Sequence, residues 1–219
     1  MSQTDDTDGT ALVIYGGWYF GQVVREAAQA AGWQVLGHVD PNPAPQVRTL
    51  NALPENTAVI VAVGDNDLRA QLQERLHNAG RKLATVIHPQ AVVSPSARIG
   101  AGVFIAELAV VRTNAAIGDG AVLQAGSVVS HDCTLHAFAS LGPNAACASK
   151  TTIGRATALG VGAVVAPGLN IGAECTIGAG AAVFRDTRAR HSLVGNPARA
   201  TPRPVKDIVQ SDWDANLVW

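Results

Sequence analysis

Ser130-His131-Asp132-Cys133 sets an imidazole beside a carboxylate in the middle of the chain. Histidine exchanges a proton near neutral pH. It can therefore take the proton that an amine or hydroxyl must shed as it attacks an acyl group. A carboxylate neighbour orients the ring and stabilises its charged form. The plain alternative for His131 is a solvated surface histidine. His136 reads as surface, and His38, His77, His88 and His191 show no partner pattern. A second candidate lies near the start, where the apolar run Ala11 to Tyr15 meets Gly16-Gly17-Trp18-Tyr19-Phe20-Gly21. A glycine turn that opens a helix presents N–H groups that attract anions. This one lacks the middle glycine of the dinucleotide fingerprint, so a mere strand-to-helix turn is the alternative. Asp40 stands at the carboxyl end of a second strand, where such folds read a ribose or base, or where it simply caps a turn.

These candidates need elements to hold them. A helical pattern begins at Gln22 and stops at Gly32, and Trp33 to Val39 reads as the second strand. Val59 to Val63 is a third strand, ending in Gly64-Asp65-Asn66. A second helix runs through Leu68, Leu72, Leu76 and Ala79 to Gly80, and Leu83 to Ile87 reads as a last strand. Strand-helix alternation indicates a small parallel sheet of Rossmann type. Fewer than about ninety residues make half a dinucleotide fold, room for one nucleotide. Pro41 to Pro54, rich in Pro and Asn, is a surface connection.

From Ile87 to Val183 an apolar residue returns every six positions, with Cys147 as the one non-aliphatic member. Four positions after each comes a mostly small residue, such as Ala97, Ala109, Ala115 and Ala121. Helices repeat near 3.6 residues and strands at 2, whereas six fits a parallel β-helix of stacked coils. The aliphatic and small residues point inward, and the glycine that often follows the aliphatic residue (Gly100, Gly118, Gly154) is expected to permit the corner backbone. Leu169, bulky at a small site, predicts a local bulge.

A net charge of −1 gives no nucleic-acid footprint. Residues 1–10, polar and acidic, read as a disordered N-terminus and no signal peptide. No run suits a membrane span. Cys133, Cys147 and Cys175 fall on inward sites, lack CxxC spacing and read as core filler in a reducing compartment. The expected domains are 11–86 and 87–199, with an extension over 200–219.

Val63-Gly64-Asp65-Asn66, Ile87-His88-Pro89, Ser130-His131-Asp132-Cys133 and Val194-Gly195-Asn196-Pro197-Ala198-Arg199 together resemble one branch of the hexapeptide-repeat acyltransferases. These are the bacterial nucleotide-sugar N-acetyltransferases and the related sialic acid O-acetyltransferases. The resemblance implies an α/β Rossmann-like domain followed by a left-handed β-helix, and an acetyl-CoA-dependent enzyme. It puts the general base on His131 and the neighbouring acid on Asp132. The substrate would be a nucleotide-linked 4-amino-4,6-dideoxy sugar, held by Gly16, Gly17, Trp18, Tyr19, Asp40, Gly64, Asp65 and Asn66. Acetyl-CoA would lie near Ser140, Gly142, Ser149 and Gly160, in the groove between two prisms of a homotrimer. No metal is implied, and the compartment would be the cytoplasm.

The trimer would also bury outward residues such as Val103, Phe104 and Val110, and the tail with Trp213 and Trp219 would pack on a neighbour. There are departures from the family pattern. Trp18-Tyr19-Phe20 replaces the end of its first loop, Pro41 stands where many relatives carry a second acid, and Ser140 stands where relatives carry a second histidine. These keep open a relative that binds sugar nucleotides without catalysis. A γ-class carbonic anhydrase would use His131 and His136 as two zinc ligands, but no histidine lies near Pro95 to complete the three such a site needs.

Overall fold

The computed structural model describes residues 11–16, 18–39 and 57–201. Gly17, Asp40, the 41–54 connection and the tail with Trp213 and Trp219 lie outside the described residues, as do residues 1–10 and the side chain of Trp18. Three parallel strands, β1 (Ala11–Tyr15), β2 (Gln34–Val39) and β3 (Ala58–Val61), form a sheet in the order β2-β1-β3. Both β1 and β3 are continuous apolar runs because both faces of the sheet are covered. Leu12, Ile14 and Ile60 pack with Val24, Ala27 and Ala28 of α1 (Trp18–Ala30), while Val59 and Val61 meet Leu72 and Leu76 of α2 (Asn66–Asn78).

Two boundaries differ from the sequence expectation. Helix α1 starts at Trp18, four residues before Gln22. Its aromatic first turn is held by tertiary packing, since Phe20 meets Phe104 edge to face at 5.5 Å and 81°. The strand expected from Leu83 to Ile87 is split. Leu83 makes a single bridge to Val59, and Val86–Ile87 already pairs with Phe104–Ile105. Successive strand residues point to opposite sides, so Val86 enters the α/β core and Ile87 the next core.

That second core fills a left-handed parallel β-helix of about six coils. Two-residue strands recur every six residues, and Leu123 pairs with Ile105 on one side and Leu141 on the other, a step of 18 residues. The first face carries Phe104–Ile105, Val122–Leu123 and Ser140–Leu141; the second carries Val110–Val111, Val128–Val129 and Ala146–Cys147; the third carries Ala116–Ile117, Thr134–Leu135 and Thr152–Ile153. In each pair the second residue points inward, and the small site is buried along the middle coils, as at Ala109, Ala115 and Ala121. Each fully buried aliphatic contributes about 1.5–3 kcal/mol, so the stack holds itself without a central helix.

The glycines divide into two classes, which corrects the expectation for them. Gly118, directly after an aliphatic residue, has no positive φ; a Cβ there would lie 2.5 Å from the backbone N of Ala137 in the next coil. It permits close stacking. The corner residue in the left-handed region comes three positions after the aliphatic one and is often not glycine: Asn114, Asp132, Phe138, Asn144 and Lys150 all have φ between 57° and 62°. Leu169 makes no bulge. Thr152↔Asn170 and Ile153↔Ile171 pair in unbroken register, and Leu169 stays half-buried against the core. Val103 and Phe104 are not free for a neighbouring subunit, because Val103 fills an inward site and Phe104 lies under the α/β domain.

Candidate active site

The α/β domain sits on the first face of the prism, where Phe104, Ala106 and Val122 join its core. His131 lies on the edge between the second and third faces, the edge opposite that domain. Asn114, Asp132 and Lys150 occupy the left-handed corner of successive coils there. Asx side chains tolerate this conformation better than most. Coil-to-coil hydrogen bonds fix the edge: Asp132 N donates to Thr113 O, and Lys150 N donates to His131 O, both at 3.0 Å.

On this frame His131 Nδ1 lies 2.8 Å from Asp132 Oδ2, and the two side chains are 51% and 43% exposed. Asn114 Nδ2 donates to the other carboxylate oxygen at 3.1 Å. These bonds, the histidine's first, hold the Asp132 carboxyl below the usual carboxylate range. It is therefore ionised at neutral pH and can only accept hydrogen bonds. That fixes the imidazole tautomer: Nδ1 carries the proton, and the Nε2 lone pair is available as a base. Ser130 Oγ and Ser149 Oγ lie 3.1 Å apart beside the pair. Cys133 points inward, with Sγ 3.0 Å from Ala148 O, and burial pushes its thiol up, so it is no nucleophile.

The residues expected around acetyl-CoA divide between two edges. Ser149 stands with His131, one coil further on. Ser140 lies on the first face, and Gly142 and Gly160 follow that face's strands at the first-to-second edge. His136 follows Leu135 of the third face and stands on another edge from His131. Among the described residues no three side chains of metal-binding type come together.

Of the expected nucleotide residues, Gly16, Tyr19, Gly64, Asp65 and Asn66 gather at the carboxyl ends of the sheet. Gly16 N donates to Val39 O at 2.9 Å, and Ala62 N donates to Tyr15 O at 2.7 Å. Gly16 has φ 134°, and a Cβ there would lie 2.3 Å from Ala62 O, so only glycine lets β1 turn so close to β3. The strand order reverses between β1 and β3, the crevice where open α/β sheets take ligands. Tyr19, in the first turn of α1, is 80% exposed beside it. Asp65 caps α2 by accepting Leu68 N at 2.7 Å, and Asn66 turns away to bond Arg69 and Ala156 O. Sequence reading missed Arg69. It is fully buried, and nothing in the run Asn66 to Asn78 marks it off from a solvated helix arginine.

Residues 11–76 match the family model described as PglD N-terminal domain. The acetyltransferase domain of PglB from Neisseria gonorrhoeae FA1090, solved in complex with acetyl coenzyme A, is 33% identical with TM-score 0.84, covering 88% of this chain and 100% of that one. PerB from Caulobacter crescentus, solved in complex with CoA and GDP-perosamine, is 40% identical with TM-score 0.84, covering 87% of this chain and 97% of that one. The chain belongs to the hexapeptide-repeat sugar N-acetyltransferases. These are acyltransferases of the left-handed β-helix type. A curated relative, UDP-N-acetylbacillosamine N-acetyltransferase of Bacillus subtilis (strain 168), is 43% identical over 63 residues, a match that spans 29% of each protein. Within one chain the His131 edge and the crevice of the α/β sheet stand on opposite sides of the prism. No helix among the described residues is long and apolar enough to cross a membrane.

Proposed function

We propose that this chain transfers the acetyl group of acetyl-CoA to the amino group of a nucleotide-linked sugar, a 4-amino-4,6-dideoxy sugar in the first instance, with His131 as general base. The observation that carries this is the His131–Asp132 pair at 2.8 Å, in which Asp132 takes the Nδ1 hydrogen bond and so makes Nε2 the basic nitrogen of the neutral ring. The neutral amine attacks the thioester carbonyl, a C–N bond forms and the C–S bond breaks. Nε2 takes the proton that the amine loses, and the CoA sulfur leaves with the electron pair. Asp132 stays ionised, keeps the ring in the useful tautomer and stabilises the imidazolium. The nucleotide would lie in the crevice formed by the Gly16 and Gly64-Asp65-Asn66 turns, with Gly17, Trp18, Tyr19 and Asp40 around it. Support comes from relatives solved with CoA, acetyl-CoA and GDP-perosamine.

The active unit in this reading is a homotrimer. Within one chain the α/β domain covers the face opposite His131, and Ser140, Gly142 and Gly160 stand on a different edge from Ser149. A neighbouring subunit that brings its α/β domain and its first-to-second edge against the His131 edge would complete both halves, and threefold closure would do so without open-ended assembly. The test pairs light scattering with an assay for thiol release from acetyl-CoA over a panel of sugar nucleotides and free sialic acid. Trimers that acetylate a nucleotide-linked amino sugar are expected. A fully active monomer would overturn the assembly, and acetylation of sialic acid alone would move the activity to O-acetyl transfer.

A further inference from the structure

Helix α2 runs along the third-to-first edge of the prism, and over about two turns its residues Asn66, Arg69 and Gln73 reach successive coils, Arg69 bridging two of them. Asn66 Nδ2 donates to Ala156 O at 3.0 Å, Arg69 donates to Phe138 O and Gly120 O, and Gln73 Nε2 donates to Gly102 O at 3.0 Å. Those four acceptors belong to the left-handed corner residues of four consecutive coils. From Asn66 to Gln73 the helix rises about 10.5 Å, while three coil steps cover about 14.4 Å; the forked side chain of Arg69, which bonds two coils at once, takes up the difference.

Arg69 is the centre of this contact and is 0% exposed. Its Nε donates to Gly120 O at 2.8 Å, and Nη1 to Val63 O at 2.8 Å and Gly64 O at 3.2 Å. Its Nη2 donates to Asn66 Oδ1 at 2.6 Å and Phe138 O at 2.9 Å. All five acceptors are neutral oxygens; Asp65 and Asp67 act only through space, and burial lowers the pKa to about 10, so the side chain is a cation at neutral pH. Burying a cation without a bonded carboxylate is a costly route to stability. What the planar fork supplies is direction. Three of its acceptors belong to the Val63-Gly64-Asp65-Asn66 turn at the end of β3, and two belong to the prism edge.

We propose that Arg69 is a positioning residue for the sugar nucleotide. It locks the turn that forms one wall of the nucleotide crevice to the carbonyl ladder of the prism, so that the amino sugar is presented at a fixed place. The proposal rests on the acetyltransferase reading above. A lysine keeps the charge but offers three donors from one point, so Arg69→Lys should not rescue the lock.

The experiment compares wild type, Arg69→Lys and Arg69→Gln, full-length, with a nucleotide-linked 4-amino sugar and with the same amino sugar lacking the nucleotide. The KM for the sugar nucleotide should rise by about tenfold or more in both variants. The KM for acetyl-CoA should stay within about twofold, and the slow transfer to the free sugar should match wild type. A merely structural role would lower active enzyme for every substrate alike, and that pattern, or an unchanged sugar-nucleotide KM, overturns the proposal. If neither Arg69 variant folds, Gln73→Leu carries the test through the neighbouring rung: a selective rise in the same KM supports the lock, and no rise overturns it. A wild type that prefers the free amino sugar would instead remove the nucleotide-binding reading, and the proposal with it.

Discussion

Along one edge of the prism the left-handed corners that meet helix α2 are Gly102, Gly120, Phe138 and Ala156, followed by Glu174; along another they are Asn114, Asp132, Lys150 and Gly168. The backbone is the same, and each corner turns the chain and leaves its carbonyl directed away from the core. On the first edge helix α2 covers the corners, Arg69 and Gln73 take up the carbonyls, and small or flat residues make room for them. On the second no element among the described residues lies over the corners, and the side chains of Asn114, His131 and Asp132 bond one another while staying largely exposed. Covering an edge turns a repeating surface into a fixed joint. Leaving it open keeps a histidine where it can exchange protons with solvent and meet a substrate. The fold thus offers several equivalent places, and the residues at the corners decide which becomes a joint and which a site.

Removing the imidazole from the open edge should have the largest effect. His131→Ala is expected to lower kcat by roughly 10²–10⁴, the range for one general acid-base group, with little change in either KM because the group acts mainly in the transition state. Steady-state kinetics on folded protein of wild-type oligomeric state would check this. Turnover near wild type would mean that the open edge is only surface.

On the covered edge the corresponding change is Gly120→Ala. A Cβ there would lie 2.3 Å from the Phe138 ring and 2.9 Å from Gln73 Oε1, and φ is +63°. The clash and the left-handed backbone together should cost about 1–3 kcal/mol, read as a lower Tm. A similar φ of 57° is held at Asp132 by a non-glycine residue whose side chain is 43% exposed. If Gly120→Ala were neutral, the tightness of the joint would be wrong.

Much of this was legible in the sequence, and the gaps have physical causes. A six-residue period with inward aliphatics admits few folds, so the prism followed from Ile87 to Val183 alone. Gly118 and Gly120 look alike in a sequence, yet one lets the backbone of the next coil approach, while the other joins a left-handed φ to the room taken by Phe138 and Gln73. Phe104 does point out of the prism, but onto the α/β domain and not toward a neighbour, because periodicity within the prism cannot reveal a second domain lying on one face. His131 and Asp132 are neighbours in the chain, so their contact could be expected; Arg69 bonds backbone carbonyls 51 and 69 residues away, and carbonyls carry no sequence signal. Asp65 and Asn66 carry a second task that the sequence does not show, a helix cap and a part of the joint.

Asp132→Asn sharpens the chemistry of the open edge. It should lower kcat by about 10-fold to 100-fold, less than His131→Ala, because an amide can hold the ring but can also favour the wrong tautomer. The folded pKa of Asp132 is depressed. Its ionised contacts are therefore complete above the unfolded value of about 3.9 and are lost only as pH falls through the lower folded value. The carboxylate does not titrate where the enzyme works, so the acid limb of the kcat/KM profile should persist in Asp132→Asn. Loss of that limb would identify Asp132, and not the imidazole, as the titrating group.

The smallest effect concerns what the open edge does not expose. Cys133 follows Asp132 directly, yet it is 1% exposed, as are Cys147 and Cys175, and burial raises all three thiols. Thiolate is the reactive form and needs solvent access, so alkylation of the folded protein should be slow at all three sites and rapid only after unfolding. The comparison lies in the relative rates. If the edge is open only in its side chains, Cys133 should label no faster than Cys147 and Cys175 in native protein, followed by mass spectrometry of the digested chain. If the corner at Asp132 opens locally, Cys133 alone would label early, at denaturant concentrations that leave the other two untouched. That outcome would show the catalytic edge to be mobile in its backbone, and the contrast with the joint held by Arg69 would then be one of motion as well as of covering.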